Sequence, residues 1–354
     1  MFLSGVHRVE ARLKSAGVTL LLFLRLVLLT TFILPTCFAQ QYTIKFATIA
    51  PENSTWYNVM KEYDAAIRKE SGDRVRFQIY AGGVAGDEKA VLRKIRIGQL
   101  HSGGFTGVAM GEIAPSVRIL DSPFLVRNYD EVDFLATQFE SEFEGAFEKG
   151  GFVLLGWAEV GFVHVFTNAP INKPDDLKRI KLWTWEGDPV ADAAFRALGI
   201  SPIPIAFPDV LTSLQTGLVD AFYSTPYATI ALQWHMRAKY MVETPISDAA
   251  GAVLLAKSYF DKLPVDLQEI LIRNGRKHLS KLVWLTREDN KKSIEQLRKA
   301  KITVQAVNPN ELPIYIDAGK RARRALVGKL YTEEFLNRVE QAIEDFRKNN
   351  RTSK

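Results

Sequence analysis

The chain has 354 residues, of which 47% are hydrophobic and 24% charged, and its formal charge is +6. That length is ample for a buried core in one large or two medium domains. Its single cysteine, Cys37, excludes a disulfide framework and a thiolate metal cluster.

Arg8, Arg12 and Lys14 precede an apolar run from Val18 to Leu34, and a short stretch then ends at Ala39. Basic, apolar, then small is the order of a secretory signal, here cleaved after Ala39. The competing reading is a membrane anchor left uncleaved, because the run is nearly long enough to span a bilayer. Arg25 interrupts that run, and no second one of similar length follows. Acylation on Cys37 is disfavoured by Leu34-Pro35-Thr36. Removing residues 1–39 leaves 315 residues and takes away Arg8, Arg12, Lys14 and Arg25 with Glu10, so the charge falls from +6 to +3. So small a surplus gives no support to a nucleic-acid partner, and none is expected.

The mature part opens with YTIKFAT, where Ile44 and Phe46 alternate with polar neighbours as in a strand. Asn53 or Ser54 can cap a helix with apolar positions Trp56, Val59, Met60, Tyr63 and Ile67, stopped by Gly72. Val75, Phe77 and Ile79 alternate along a second strand. Asp87 then opens a helix carrying Val91, Leu92 and Ile95, ending at Gly98. Strand, helix, strand, helix predicts a parallel-rich sheet covered by helices. Gly103-Gly104-Phe105-Thr106-Gly107 reads as a tight turn bringing backbone amides near a cleft.

No proline occurs between Pro264 and Ala300, and Leu267, Ile270, Leu271, Leu279, Leu282 and Val283 keep helical spacing. Unbroken, that helix would be about 50 Å long, enough to cross between two lobes. A break near Gly275, or in the polar stretch from Thr286 to Ser293, is the alternative. A shorter helical pattern around Phe335 to Phe346 precedes a polar tail. No nucleophile elbow, phosphate loop or zinc-protease helix is present, and the five histidines are scattered. No enzyme activity, metal or cofactor is therefore expected. Asn53-Ser54-Thr55 matches a glycosylation sequon but reads better as a helix cap.

Several segments, in order, carry a family resemblance: residues 81–100, Ser122-Pro123-Phe124-Leu125, Ala197-Leu198-Gly199 through Pro204, Leu214 to Asp220, and Leu263-Pro264. From about Tyr42 to His278 the chain resembles the substrate-binding subunits of tripartite ATP-independent periplasmic (TRAP) transporters. The resemblance implies an α/β periplasmic receptor of two lobes, with a ligand cleft between them and a long helix spanning both. It implies lobe I over 40–160 plus about 249–285, lobe II over 161–248 plus about 286–345, and a polar tail at 346–354. The partners implied are a small-molecule ligand and the membrane permease subunits.

The chain departs from the pattern where ligand is held. Family members carry an arginine after Lys-Ile or Lys-Leu, and it forks onto a substrate carboxylate; here Lys181-Leu182 is followed by Trp183. A guanidinium offers paired donors and a fixed charge, whereas an indole offers one donor and a large apolar face. Near Gly161, neither Val163 nor a neutral His164 replaces a second basic residue, and Tyr223-Ser224-Thr225 alters the residues before Pro226. These changes resemble a subgroup that works with a tetratricopeptide-repeat partner and takes hydrophobic ligands. The cleft is accordingly expected to be lined by Trp56, Phe105, Phe124, Phe162, Trp183, Phe207 and Tyr223, with Thr106 or Ser224 reaching a small polar head. The bland alternative is that some of these aromatics fill lobe cores. A second expectation keeps an organic acid as ligand, held by Arg118, Arg127 or Lys181. Further alternatives are a sensory receptor and a periplasmic enzyme.

Overall fold

The computed structural model describes residues 40–351. The leader expected over 1–39, Cys37 included, lies outside the described residues, as do residues 352–354 of the expected tail. In chain order, β1 (Tyr42–Thr48), α1 (Thr55–Ser71), β2 (Val75–Tyr80), α2 (Glu88–Arg96), β3 (Ser102–Thr106), α3 (Gly107–Ile113), a 3₁₀ turn over Pro115–Asp121, α4 (Tyr129–Gln138), α5 (Glu140–Lys149) and β4 (Phe152–Trp157) build the first lobe. Then β5 (Gly161–Thr167), β6 (Trp183–Trp185), α6 (Pro189–Ala197), β7 (Ile203–Ile205), α7 (Val210–Thr216), β8 (Ala221–Ser224), α8 (Pro226–Ala231), β9 (Tyr240–Val242) and β10 (Ser247–Ala249) build the second. The chain returns through β11 (Gly251–Ala256), α9 (Lys257–Phe260) and α10 (Val265–Lys299), then adds β12 (Thr303–Gln305), α11 (Leu312–Ala325) and α12 (Glu333–Arg351).

The first sheet has the order β2-β1-β3-β11-β4. Its β1, β2 and β3 are parallel, as the strand–helix alternation predicts, while β11 runs antiparallel to both neighbours because it arrives from the other lobe. The second sheet follows β10-β5-β9-β12, with β8 also pairing with β5. A small parallel pair, β6 and β7, stands beside it, tied to β8 by a bridge from Leu182 to Ala221. The chain passes between the sheets at residues 158–160, at Ala250 and along α10.

Local physics sets α1 as the spacing predicts. The Ser54 hydroxyl accepts from the Tyr57 amide at 3.3 Å, and Gly72 ends the helix in the left-handed conformation that lacks a Cβ penalty. Val59, Met60, Tyr63 and Ile67 bury against Ile44, Phe46, Val75 and Phe77. The glycine run at 103–107 is not a tight turn: residues 102–106 form β3 in the sheet centre, and α3 starts at Gly107. Gly103 is small because a side chain there would run into the Phe105 ring.

The long helix α10 is continuous over 35 residues. Gly275 does not break it; a methyl there would overlap the Leu155 carbonyl oxygen of β4, so the glycine permits close approach. The polar stretch fastens the helix where the chain changes sheets. Asn290 donates to the Val160 carbonyl at 2.8 Å and accepts from the Tyr227 amide at 3.0 Å, while Arg287 reaches Glu159 and Asp133.

The C-terminal part differs from the expected lobe limits. Leu326, Tyr331, Phe335, Leu336, Val339 and Ile343 join the core of the first sheet, whereas the sequence reading placed about 286–345 with the second lobe. The helix also runs on through Arg351, where a polar tail was expected to start at 346. Arg347 explains why: it pairs with the buried Glu131 at 2.7 Å and donates to the Leu125 carbonyl.

Replacing Gly275 by alanine tests the close approach. Helix propensity favours alanine by about 1 kcal/mol, but overpacking against a fixed backbone oxygen costs up to about 3 kcal/mol. Gly275→Ala should therefore lose about 2 kcal/mol, seen as a lower urea midpoint with an unchanged slope.

Candidate functional site

A cavity of about 210 Å³ lies between the two sheets. From the first lobe it is lined by the segment after β1, by Trp56 and Met60 of α1, by Glu88, by Gly104 to Val108, and by Arg118 and Asp121. The second lobe contributes Val163, Trp183, Trp185, Asp188, Phe207, Tyr223 to Thr225, Trp234 and Ser247 to Ala249.

Most of the residues picked out by sequence come together here. Trp56, Phe105, Thr106, Trp183, Phe207, Tyr223 and Ser224 line the cavity; Phe124 and Phe162 do not. Phe162 neighbours Val163 in β5, and successive side chains of a strand face opposite sides. Val163 takes the cavity side, so Phe162 turns to Tyr129, with ring centres 4.8 Å apart. Phe124 sits in a left-handed turn (φ 53°) and carries its ring into the second lobe's core, 6.2 Å from Tyr315.

The aromatic wall belongs mainly to the second lobe. Trp183 is 2% exposed and its indole N–H donates to the Ile205 carbonyl at 3.0 Å. One face stacks on Tyr223 at 4.9 Å, and Trp234 meets it edge-on at 5.3 Å. Trp183 is thus a fixed wall whose single donor is already used. Phe207 is half-buried and stacks on Trp185 at 4.8 Å, leaving it the more accessible ring.

Polar groups reach the cavity from both lobes. Glu88 is buried and accepts from the Thr106 amide (2.8 Å), the Thr106 hydroxyl (2.9 Å) and the Ala109 amide (3.3 Å). Burial nonetheless pushes its carboxyl up to about 7, against the pull of those hydrogen bonds and of Arg118. Arg118 is 3% exposed, with Nε 2.8 Å from Asp121 Oδ2 and Nη2 2.8 Å from Asp188 Oδ1. Asp121 also accepts from the Ala250 amide at 2.8 Å, and burial raises it to about 6. Arg118 is the only lysine or arginine among the described residues lining this cavity. Lys181 is exposed and near the Gly217 carbonyl, and Arg127 lies outside the cavity lining.

Sequence reasoning did not select Glu88, Asp121, Asp188, Trp185 or Trp234 as site residues. Glu88 and Asp188 look from sequence like ordinary helix-start acids, since carboxylates favour helix N-termini. Nothing local distinguishes a start that faces solvent from one that faces a cavity.

Glu88 generates a pH prediction. Its folded pKa is raised above the unfolded value, so the folded state binds the extra proton, and its contribution to stability is full below about 4.5 and lost as pH rises through about 7. Melting temperature measured from pH 4.5 to 8 should fall less in Glu88→Gln than in the parent. The difference should be on the order of 1–3 kcal/mol across that range.

Comparison with known proteins places this geometry. A family model described as bacterial extracellular solute-binding protein, family 7 (DctP), matches residues 46–326. A solute-binding protein of Verminephrobacter eiseniae is 28% identical over 268 residues, covering 75% of this chain and 80% of that protein. A TRAP solute-binding protein of Pseudomonas putida F1, solved with D-glucuronate, superposes with a TM-score of 0.78 at 23% identity, covering 84% of this chain and 97% of that one. One from Desulfovibrio salexigens, with orotic acid, gives a TM-score of 0.80 at 18% identity, covering 86% and 99%. Two lobes around separate sheets, a cavity between them and a family match across most of the chain have one meaning: this chain belongs to the DctP family, the bacterial extracellular solute-binding proteins of family 7.

Proposed function

We propose that this receptor closes its lobes on a small ligand that is mainly apolar or aromatic and delivers it to a TRAP membrane permease. One observation carries the reading. Trp56, Phe105, Trp185, Phe207 and Trp234 surround a cavity whose lining arginine is already paired with two carboxylates. Flat apolar faces reward burial of apolar surface and ring stacking, and a guanidinium held between aspartates has little left to attract a third anion. On the same reading residues 1–39 are a cleaved leader and the mature receptor works in the periplasm. Its partners there are the permease subunits and a tetratricopeptide-repeat protein.

A second reading, an organic acid, is favoured by the D-glucuronate and orotic acid held by the similar proteins and by the presence of Arg118 at the cavity. The two separate by experiment. Protein purified without refolding is examined by native mass spectrometry for copurified ligand, then by thermal shift against indole and succinate. Indole should stabilise it and succinate should not. Removing a half-buried ring of the lining, in Phe207→Ala, should weaken indole about tenfold, since losing a stacked aromatic face forfeits on the order of 1–2 kcal/mol. Saturable succinate binding that Phe207→Ala leaves unchanged would establish the acid reading instead.

A further inference from the structure

Arg118 is held by carboxylates that come from two lobes. Asp121 lies one turn further along the same 3₁₀ segment of the first lobe, whereas Asp188 begins α6 of the second. Asp188 Oδ1 accepts both from the Val190 amide at 3.0 Å, capping α6, and from Arg118 Nη2 at 2.8 Å. All three side chains are buried and line the cavity. Gly107 keeps the arrangement tight, since a Cβ there would collide with the Asp121 carboxylate and Arg118 Nε.

A buried guanidinium needs a counter-charge, and its planar fork accepts a carboxylate wherever one is offered. In this cavity the opposite lobe offers it. We infer that Asp188 is a built-in counter-ion to Arg118, filling the place in the cleft that a ligand carboxylate would take and so setting the receptor against anionic ligands. Closing the lobes brings Asp188 and Arg118 together and completes the neutralisation with no charge from the ligand. A ligand carboxylate would have to displace Asp188, leaving a buried aspartate beside a second anion. Glu88 and Asp248 are the other carboxyls on the lining. Asp188 is thus a specificity-determining residue, and its effect is exclusion by occupancy.

The inference rests on reading the cavity as the ligand site, so the test uses two probes of one shape: benzoate and its neutral counterpart benzyl alcohol. Asp188→Ser keeps a hydroxyl to cap α6 while removing the charge, and Asp188→Asn serves as a second variant of different size. Binding is measured by calorimetry on folded protein, checked by near-ultraviolet circular dichroism. Both variants should gain saturable benzoate binding at least about tenfold tighter than the parent, a discrimination of on the order of 1.4 kcal/mol. The gain should vanish in Arg118→Met/Asp188→Ser, while the change in benzyl alcohol affinity between parent and Asp188→Ser should be far smaller than the change in benzoate affinity. Unaltered benzoate affinity with benzyl alcohol still bound overturns the role of Asp188 and leaves the ligand site standing. Benzoate binding by the parent that requires Arg118 overturns it too. Failure of both probes to bind any form rejects the cavity as an aromatic-ligand site, and the inference with it.

Discussion

The two-lobed structure depends on how α10 grips the points where the chain passes from one sheet to the other. Asn290 holds the Val160 carbonyl on the crossing between β4 and β5 and the Tyr227 amide at the start of α8, so one amide side chain touches a crossing strand and the second lobe together. Gly161, next in line, has no room for a Cβ because that same amide and the Tyr129 hydroxyl lie against it. One turn earlier Arg287 binds the buried Glu159 and the exposed Asp133 and lies over the Tyr129 ring at 4.3 Å. A buried amide with both ends satisfied is rigid, because any displacement leaves a donor and an acceptor unpaired. The polar face of the helix therefore fixes where the lobes meet, while its apolar face, from Leu267 to Leu282, packs on the first lobe.

That junction divides labour in the cleft. Aromatic rings come mainly from the second lobe, on short strands and turns: Trp183 and Trp185 on β6, Phe207 after β7, Tyr223 on β8. Carboxylates come from both, with Glu88 at the start of α2 and Asp121 at the end of the 3₁₀ turn from the first, and Asp188 and Asp248 from the second. Asp188, an acid on the aromatic side, crosses to Arg118. Each lobe thus brings both apolar surface and acids to the cavity, and neither alone lines it.

The fold was largely legible because its signals are local. Alternation in YTIKFAT, the Ser54 cap, the Gly72 stop and the unbroken spacing after Pro264 each follow from the backbone's own requirements. The site was legible only where the resemblance supplied positions. It could not separate Phe162 from Val163, because a one-residue uncertainty in a strand exchanges the two faces. It could not place Phe124, whose left-handed turn sends the ring into a lobe core. Nor could it show that α12 packs on the first lobe, since a C-terminal amphipathic helix carries no mark of which sheet it covers. The Arg118 pairings were hidden for the same reason: Asp188 lies 70 residues away, and only the folded topology joins them.

The arrangement bears on how closure could be driven. A ligand shifts the open–closed balance only by contacts stronger in the closed form. In a receptor whose arginine waits for a ligand anion, that difference would be electrostatic and would require the ligand's charge. If Asp188 is the built-in counter-ion we infer, the electrostatic contact across the lobes is intramolecular and is made on closure whether or not the cavity is filled. What a ligand can add is burial of its faces against Phe207, Trp185 and Trp56, a gain that scales with apolar area. On the proposed reading, discrimination among ligands then follows shape and surface more than charge. On the proposed reading, the buried ion pair and its desolvation cost help set how far the empty receptor leans toward the closed form.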